Sequence, residues 1–221
     1  MNKLIIIGVT LLSTTLLSAQ APKELNAALK LSSLGYGVDI STPINETYAV
    51  RFNMNGGSYS DSQSSDGNTY EGTLDLFTMG VLVDAYPFEN NFRLSTGLYY
   101  NGNGFSGAVT PSSTQTVDIN GVTYTSADLA KVNTDVTFNK VAPYFGIGWG
   151  NDARDKGWGF TFDLGAMYHG SPTADLTAEG VNPAIATQVN NGLAQEEQNV
   201  NDDLSDFKLY PVISIGVNRS F

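Results

Sequence analysis

Apolar and polar residues alternate with period two along most of this chain, and the apolar residues are the large ones. In the C-terminal segment Phe207, Leu209, Pro211, Ile213, Ile215, Val217 and Phe221 share one face, against Lys208, Tyr210, Ser214, Gly216 and Asn218. Trp158, Phe160, Phe162, Leu164, Ala166 and Tyr168 likewise oppose Gly159, Thr161, Asp163 and Gly165. Val141, Pro143, Phe145, Ile147 and Trp149 oppose Ala142, Tyr144, Gly146 and Gly148. The pattern recurs in Phe92, Leu94, Thr96, Leu98 and Tyr100, and in Tyr48, Val50, Phe52 and Met54. Residues i, i+2 and i+4 line one face of a strand, so each segment reads as a strand with a bulky apolar face and a small or polar one. Composition agrees. The 221 residues include 23 Gly, 11 Tyr and 11 Phe, and only 15% are charged, where about 25% is usual for a soluble domain.

A secreted sandwich shows similar alternation, but three features favour a transmembrane β-barrel. The apolar face is often aromatic while the other is Gly-rich, as suits lipid outside and a crowded polar lumen inside. Tyr48, Phe92, Trp149, Trp158 and Phe221 fall at one common end, where an interfacial girdle would place them. Connections alternate in length: short turns at 43–46, 87–91 and 150–157, and long polar loops at 60–69, 104–135 and 170–205. Outer-membrane barrels have short periplasmic turns and long external loops.

Seven strands are immediately visible, near 25–44, 47–59, 70–86, 92–103, 136–149, 157–169 and 206–221. Bacterial single-chain barrels have even counts, and the first segment divides. Leu25, Ala27, Leu29 and Leu31 keep one face, whereas Tyr36, Val38, Ile40 and Ile44 need the opposite parity. Ser33-Leu34-Gly35 sits at the phase change, and Gly suits a tight turn. A second phase change, between Leu74/Leu76 and Phe77/Met79/Val81, reads as a bulge. The expected fold is all-β: an eight-stranded antiparallel transmembrane β-barrel with short periplasmic turns and long acidic extracellular loops.

The N-terminus supplies the route to the membrane. A short basic start through Lys3, an apolar stretch from Leu4 to Leu17 and the small residues Ser18-Ala19-Gln20-Ala21 have the layout of a secretory signal peptide. Cleavage after Ala19 is expected, since cleavage after Ala21 would leave Pro22 first. Residues 1–19 then form the signal and 20–221 the barrel. The absence of Cys excludes disulfides, Cys-based zinc sites, a thiol nucleophile and a lipoprotein anchor. A net charge of −11 argues against nucleic acid, which needs a basic face. The partners expected are outer-membrane lipid and lipopolysaccharide, and the protein is expected to be a monomer.

The run Lys140-Val141-Ala142-Pro143-Tyr144-Phe145-Gly146-Ile147-Gly148-Trp149-Gly150, then Trp158-Gly159-Phe160, Gly165 and Gly170-Ser171-Pro172, resembles small proteobacterial outer-membrane barrels of the CarO type. Asn201-Asp202-Asp203 and the stretch Asp118-Ile119-Asn120-Gly121-Val122-Thr123-Tyr124 are similar to that group as well. The resemblance implies a barrel in the bacterial outer membrane and an uptake role of the ornithine type. The last strand resembles the barrel-assembly signal through Gly216 and Phe221, which implies recognition by the barrel-assembly machinery. Arg219 departs from that signal, standing where an aromatic or aliphatic residue is expected.

Projecting the alternation inward places Lys30, Asp39, Arg51, Asp84, Arg93, Lys140, Asp163 and Lys208 in the lumen. Eight strands leave an interior just wide enough for side chains to fill, so these charges must pair. The acidity lies in the loops: residues 60–71, 104–135 and 170–206 carry thirteen acids against one base. Glu196, Glu197, Asp202 and Asp203 mark an acidic mouth, and a charged rim of one sign concentrates cations in a salt-dependent way. Asn182 followed by Pro183 fits a helix start, with Ile185, Val189 and Leu193 four apart on one face.

No enzyme is expected. His169 is the one His, and although it lies near Ser171, Asp163 is nearly a strand's depth below and no nucleophile motif surrounds Ser171. Neither a catalytic, a metal nor a cofactor site is read. Two functions stay open: a narrow or gated route for small solutes, cationic amino acids among them, or a closed structural or adhesive surface barrel with a salt-bridged lumen.

Overall fold

The computed structural model describes residues 24–221 apart from 66, 89, 114, 115 and 151, so residues 1–19, expected to be a signal peptide, lie outside the described residues. In chain order the elements are β1 (Asn26–Ser32), β2 (Gly35–Pro43), β3 (Tyr48–Ser65), β4 (Asn68–Ala85), β5 (Phe92–Asn101), β6 (Gly104–Thr110), β7 (Val117–Ile119), β8 (Val122–Tyr124), β9 (Lys131–Thr137), β10 (Val141–Trp149), β11 (Gly157–Tyr168), β12 (Thr173–Glu179), α1 (Ala186–Leu204) and β13 (Leu209–Ser220). Eight of the strands pair in a ring, β1-β2-β3-β4-β5-β10-β11-β13 and back to β1, every pair antiparallel.

Burial around the ring is inverted relative to a soluble domain. Phe160 is 80% exposed, Trp158 76% and Tyr36 75%, while Arg51 and Arg93 are 1% and 0% exposed. The parity richer in large apolar residues points outward and the one holding the charges and glycines inward, as the alternation requires, with Leu82, Tyr99, Tyr144 and Met167 as the large residues that also point inward. The first segment divides where its parity breaks: Ser32 faces Gly35 across a two-residue turn, and Gly35 takes φ +97°. A side chain there would be strained, and its Cβ would stand 2.5 Å from the Gly56 carbonyl oxygen.

Two expectations are corrected. The β3–β4 ladder runs unbroken from Tyr48 opposite Ala85 to Ser65 opposite Asn68, so there is no bulge near Phe77. The phase change there is a change of surroundings. Below Phe77, β4 pairs with β5; above it, β4 pairs with β6 in the same antiparallel sense. At the junction the Phe77 amide donates to Asn103 Oδ1 at 2.9 Å and the Gly102 amide donates to the Phe77 carbonyl at 2.7 Å. Leu74 and Leu76 thus keep the inward parity of Leu82, but belong to a different layer.

That layer replaces the long polar loops. β3 and β4 continue past the ring and, with β6, β9 and β12, form a sheet ordered β3-β4-β6-β9-β12. One face of it carries Val132, Leu176 and Ala178, covered by α1 through Val189 and Leu193, by the β7–β8 hairpin through Ile119 and Tyr124, and by Leu129 of the connection that follows. This is an ordinary apolar core. Its helix begins at Ala186 rather than at Pro183; Asn182 instead caps the preceding turn, Oδ1 accepting from the Ala184 amide at 3.0 Å. The outer edge of β12 is paired by the helix. Asn201 accepts from the Ala174 amide at 2.8 Å and donates to its carbonyl at 3.0 Å, and Glu197 accepts from the Leu176 amide at 3.2 Å. Covering an edge this way removes a template for strand addition.

Candidate functional site

Six buried charges meet inside the ring, one from each of six strands: Lys30 on β1, Asp39 on β2, Arg51 on β3, Asp84 on β4, Arg93 on β5 and Asp163 on β11. Sign alternates from strand to strand, so each cation has carboxylates on both sides. Arg51 is the hub. Its Nε and Nη2 donate to the two Asp84 oxygens at 2.8 Å each, and its Nη1 donates to Asp39 at 3.1 Å and to Asp163 at 3.3 Å. Lys30 Nζ lies 2.7 Å from Asp39 and 3.3 Å from Asp163, and Arg93 Nη2 donates to Asp163 at 2.6 Å. Ser95 donates to Asp84 at 2.5 Å, Ser214 donates to Asp163 at 2.9 Å, and Asn53 donates to Asp39. Three cations face three carboxylates, so the cluster is neutral as a whole.

Glycines make the geometry possible. Gly148 on β10 is paired with Arg93 on one side and Asp163 on the other. A Cβ there would stand 2.8 Å from Arg93 Cζ, so the guanidinium crosses β10 through the space the missing side chain leaves. Gly216 serves Lys30 in the same way across β13, a Cβ there standing 2.7 Å from Lys30 Cγ. Arg93 also donates to the Gly150 carbonyl and, at 3.1 Å, to Thr161.

Farther toward the outer sheet the interior is filled by Leu34, Leu82, Tyr99, Ala142, Tyr144, Met167 and Val212. The Tyr99 and Tyr144 rings meet edge to face at 5.6 Å. Between this plug and the ion cluster lies a cavity of about 10 Å³ lined by Lys30, Arg51, Tyr99, Tyr144 and Asp163. That volume holds roughly one water molecule.

Lys140 and Lys208 do not join the cluster. Each stands one residue before the first residue of its strand, β10 and β13, and is exposed at the rim, where water solvates its charge at no cost. The four acids assigned to the mouth lie on α1: Glu197 is bound to the β12 edge, Glu196 is half-buried, and Asp202 and Asp203 are exposed in the last turn. His169 is buried against Phe138 and Tyr210, with ring centroids 4.7 and 6.3 Å away, and burial lowers its pKa. Ser171 donates to the Ser205 carbonyl at 2.8 Å, and Asp163 belongs to the ion cluster. No triad forms among them. The described residues contain no group of three or more His, Asp and Glu placed to hold a metal.

At the short-turn end, Arg154 grips Asp152 with two hydrogen bonds of 2.7 and 2.6 Å and lies 4.8 Å over the Tyr86 ring. The hydrogen bonds that Arg154 donates to Asp152 raise the Arg154 pKa, and burial pushes the Tyr86 phenol well up.

Sequence reasoning overlooked Ser95, Ser214, Thr161, Asn53, Tyr99 and Tyr144. Their signal was present in the inward parity they share with the charges.

No protein-family model matches the chain, and no curated protein matches it. Among solved structures, CarO2 of Acinetobacter baumannii superposes with a TM-score of 0.59 at 22% identity, over 90% of this chain and 98% of that one. CarO of the same organism gives a TM-score of 0.58 at 24% identity, again over 90% and 98%. The fold is that of CarO.

Proposed function

We propose that the chain is an exported outer-membrane β-barrel that is closed through its middle and acts through the ordered sheet and helix it displays outside. The carrying observation is the interior. Charges of alternating sign from six strands bind one another, and the adjoining cavity of about 10 Å³ is far too small for an amino acid. The outward band of large apolar side chains supports the membrane setting, since only a structure whose backbone bonds internally can face lipid. Lipid and lipopolysaccharide are then its surroundings, the C-terminal strand ending at Phe221 is its handle for the assembly machinery, and the barrel works as a monomer without cofactor.

Planar-bilayer conductance and liposome swelling test this. The closed reading expects no conductance steps and no swelling with ornithine, arginine or glycine. The second reading is a gated route for cationic amino acids. It draws on the acidic excess of the outer segments and on Asp39, Asp84 and Asp163, any of which can exchange its internal cation for an incoming one. Swelling with ornithine but not glycine, suppressed by salt, would replace the first reading with the second.

A further inference from the structure

Arg219 stands on the outward, lipid-side face of β13, two residues from the chain end and at the short-turn end of the ring. It is exposed, and no carboxylate of the described residues lies within ion-pair distance of it. Instead its guanidinium sits 5.4 Å from the Trp158 ring, which it faces across the β11–β13 pair, and 5.2 Å from the Phe221 ring. Stacking on ring faces holds the planar group but leaves its N–H edge free to donate. Two residues along each strand, about 7 Å away, begins an apolar groove on the same face. Phe160, Val217 and Leu29 form one side of it, and Phe162, Ile215 and Leu31 the other; its volume is about 640 Å³.

A cation fixed between two aromatic rings at the membrane boundary, next to an apolar groove, matches one ligand chemistry: a phosphate joined to a hydrocarbon chain. We infer that this face is a binding site for an anionic phospholipid of the periplasmic leaflet, with the acyl chain along the groove and the phosphate on Arg219. The inference rests on the membrane-embedded reading. It also accounts for the residue in the terminal strand that departs from the expected aromatic or aliphatic pattern: Arg219 keeps the apolar contact through its stem and stacked plane while supplying the charge.

The two Trp residues provide a probe. With Trp149→Phe, Trp158 remains as the sole reporter beside Arg219. The full chain is reconstituted in bilayers containing either brominated phosphatidylglycerol or brominated phosphatidylcholine, and quenching of Trp158 is measured. One basic side chain at a membrane surface contributes enough for about a fivefold preference for the anionic lipid. The preference should vanish in Arg219→Gln, persist in Arg219→Lys, and fall with added salt in the parent. Should Arg219→Gln fail to fold, the salt titration and Arg219→Lys still decide. Equal quenching by both lipids in the parent, or a preference that survives Arg219→Gln, overturns the site. Quenching by neither lipid overturns the membrane reading itself, a distinguishable failure.

Discussion

The ring and the outer sheet are built from continuous strands, yet they are held together by opposite means. In the ring, β4 turns Asp84 and Leu82 inward and Val83 and Val81 outward. A few residues earlier, the same strand lies in a layer whose stability comes from Val132, Val189 and Leu193 packed between a sheet and a helix. In the ring, the large apolar side chains turn outward and the interior holds paired charges beside the apolar plug of Leu34, Leu82, Tyr99, Tyr144 and Met167. In the outer layer the apolar side chains turn inward and the core is apolar throughout. Strand parity alone therefore does not say what is inside; the solvent does.

The sharpest way to break this contrast is to damage each region separately. Arg93→Met should leave Asp163 and Asp84 short of a cation inside the ring and cost about 3–5 kcal/mol. The expected signs are a lower urea midpoint and loss of the heat-modifiable gel shift of the folded form. An unchanged midpoint would mean that the cluster contributes nothing. Leu193→Ala should cost about 3 kcal/mol, confined to the outer layer. Protease should then cut between residues 104 and 205 while the gel shift of the ring remains. Loss of both together would show that the two regions form one cooperative unit.

Gly148→Ala sharpens the comparison. An added methyl in an ordinary strand replaces a glycine favourably; here it stands where the Arg93 guanidinium passes, and a cost of about 1–3 kcal/mol is expected. In an Arg93→Met background the cost should disappear, because the space is then free. A cost that persists would place the conflict elsewhere.

The smallest effect is at the junction, where His169 is buried near the rim. Its folded pKa is lowered by burial, so between that value and about 6.5 the unfolded chain binds the proton more readily. Stability should decline as pH falls below that upper limit, and His169→Phe should flatten the decline. Denaturant midpoints measured across this range check it, and an identical slope in both proteins would remove His169 from the account.

The ring was legible because one side of every strand faces outward with large apolar side chains and the other faces a crowded interior, which enforces alternation. Six of the eight charges assigned to the lumen share the cluster for that reason, whereas Lys140 and Lys208 fall just outside the first residues of their strands, where parity no longer fixes a side chain. The outer sheet was illegible for the converse reason. Residues 57–65 of β3 are exposed or half-exposed on both faces, so Gly57, Ser58, Ser60, Asp61, Ser62 and Gln63 carry no hydrophobic rhythm and resemble a loop. The helix showed only its Ile185, Val189 and Leu193 stripe. The way its Asn201 and Glu197 bind the β12 edge depends on a partner that no local pattern announces.

Arg93 reaches Asp163 across β10, and Lys30 reaches the same carboxylate across β13, the last strand of the chain. A partly zipped sheet, with the first and last strands still apart, would leave Asp163 with part of its counter-charge missing. Such half-made forms are penalised in proportion to how much of the cluster they lack. Closing the seam between β1 and β13 is thus the step that also brings Lys30 to Asp163 and completes the neutral interior.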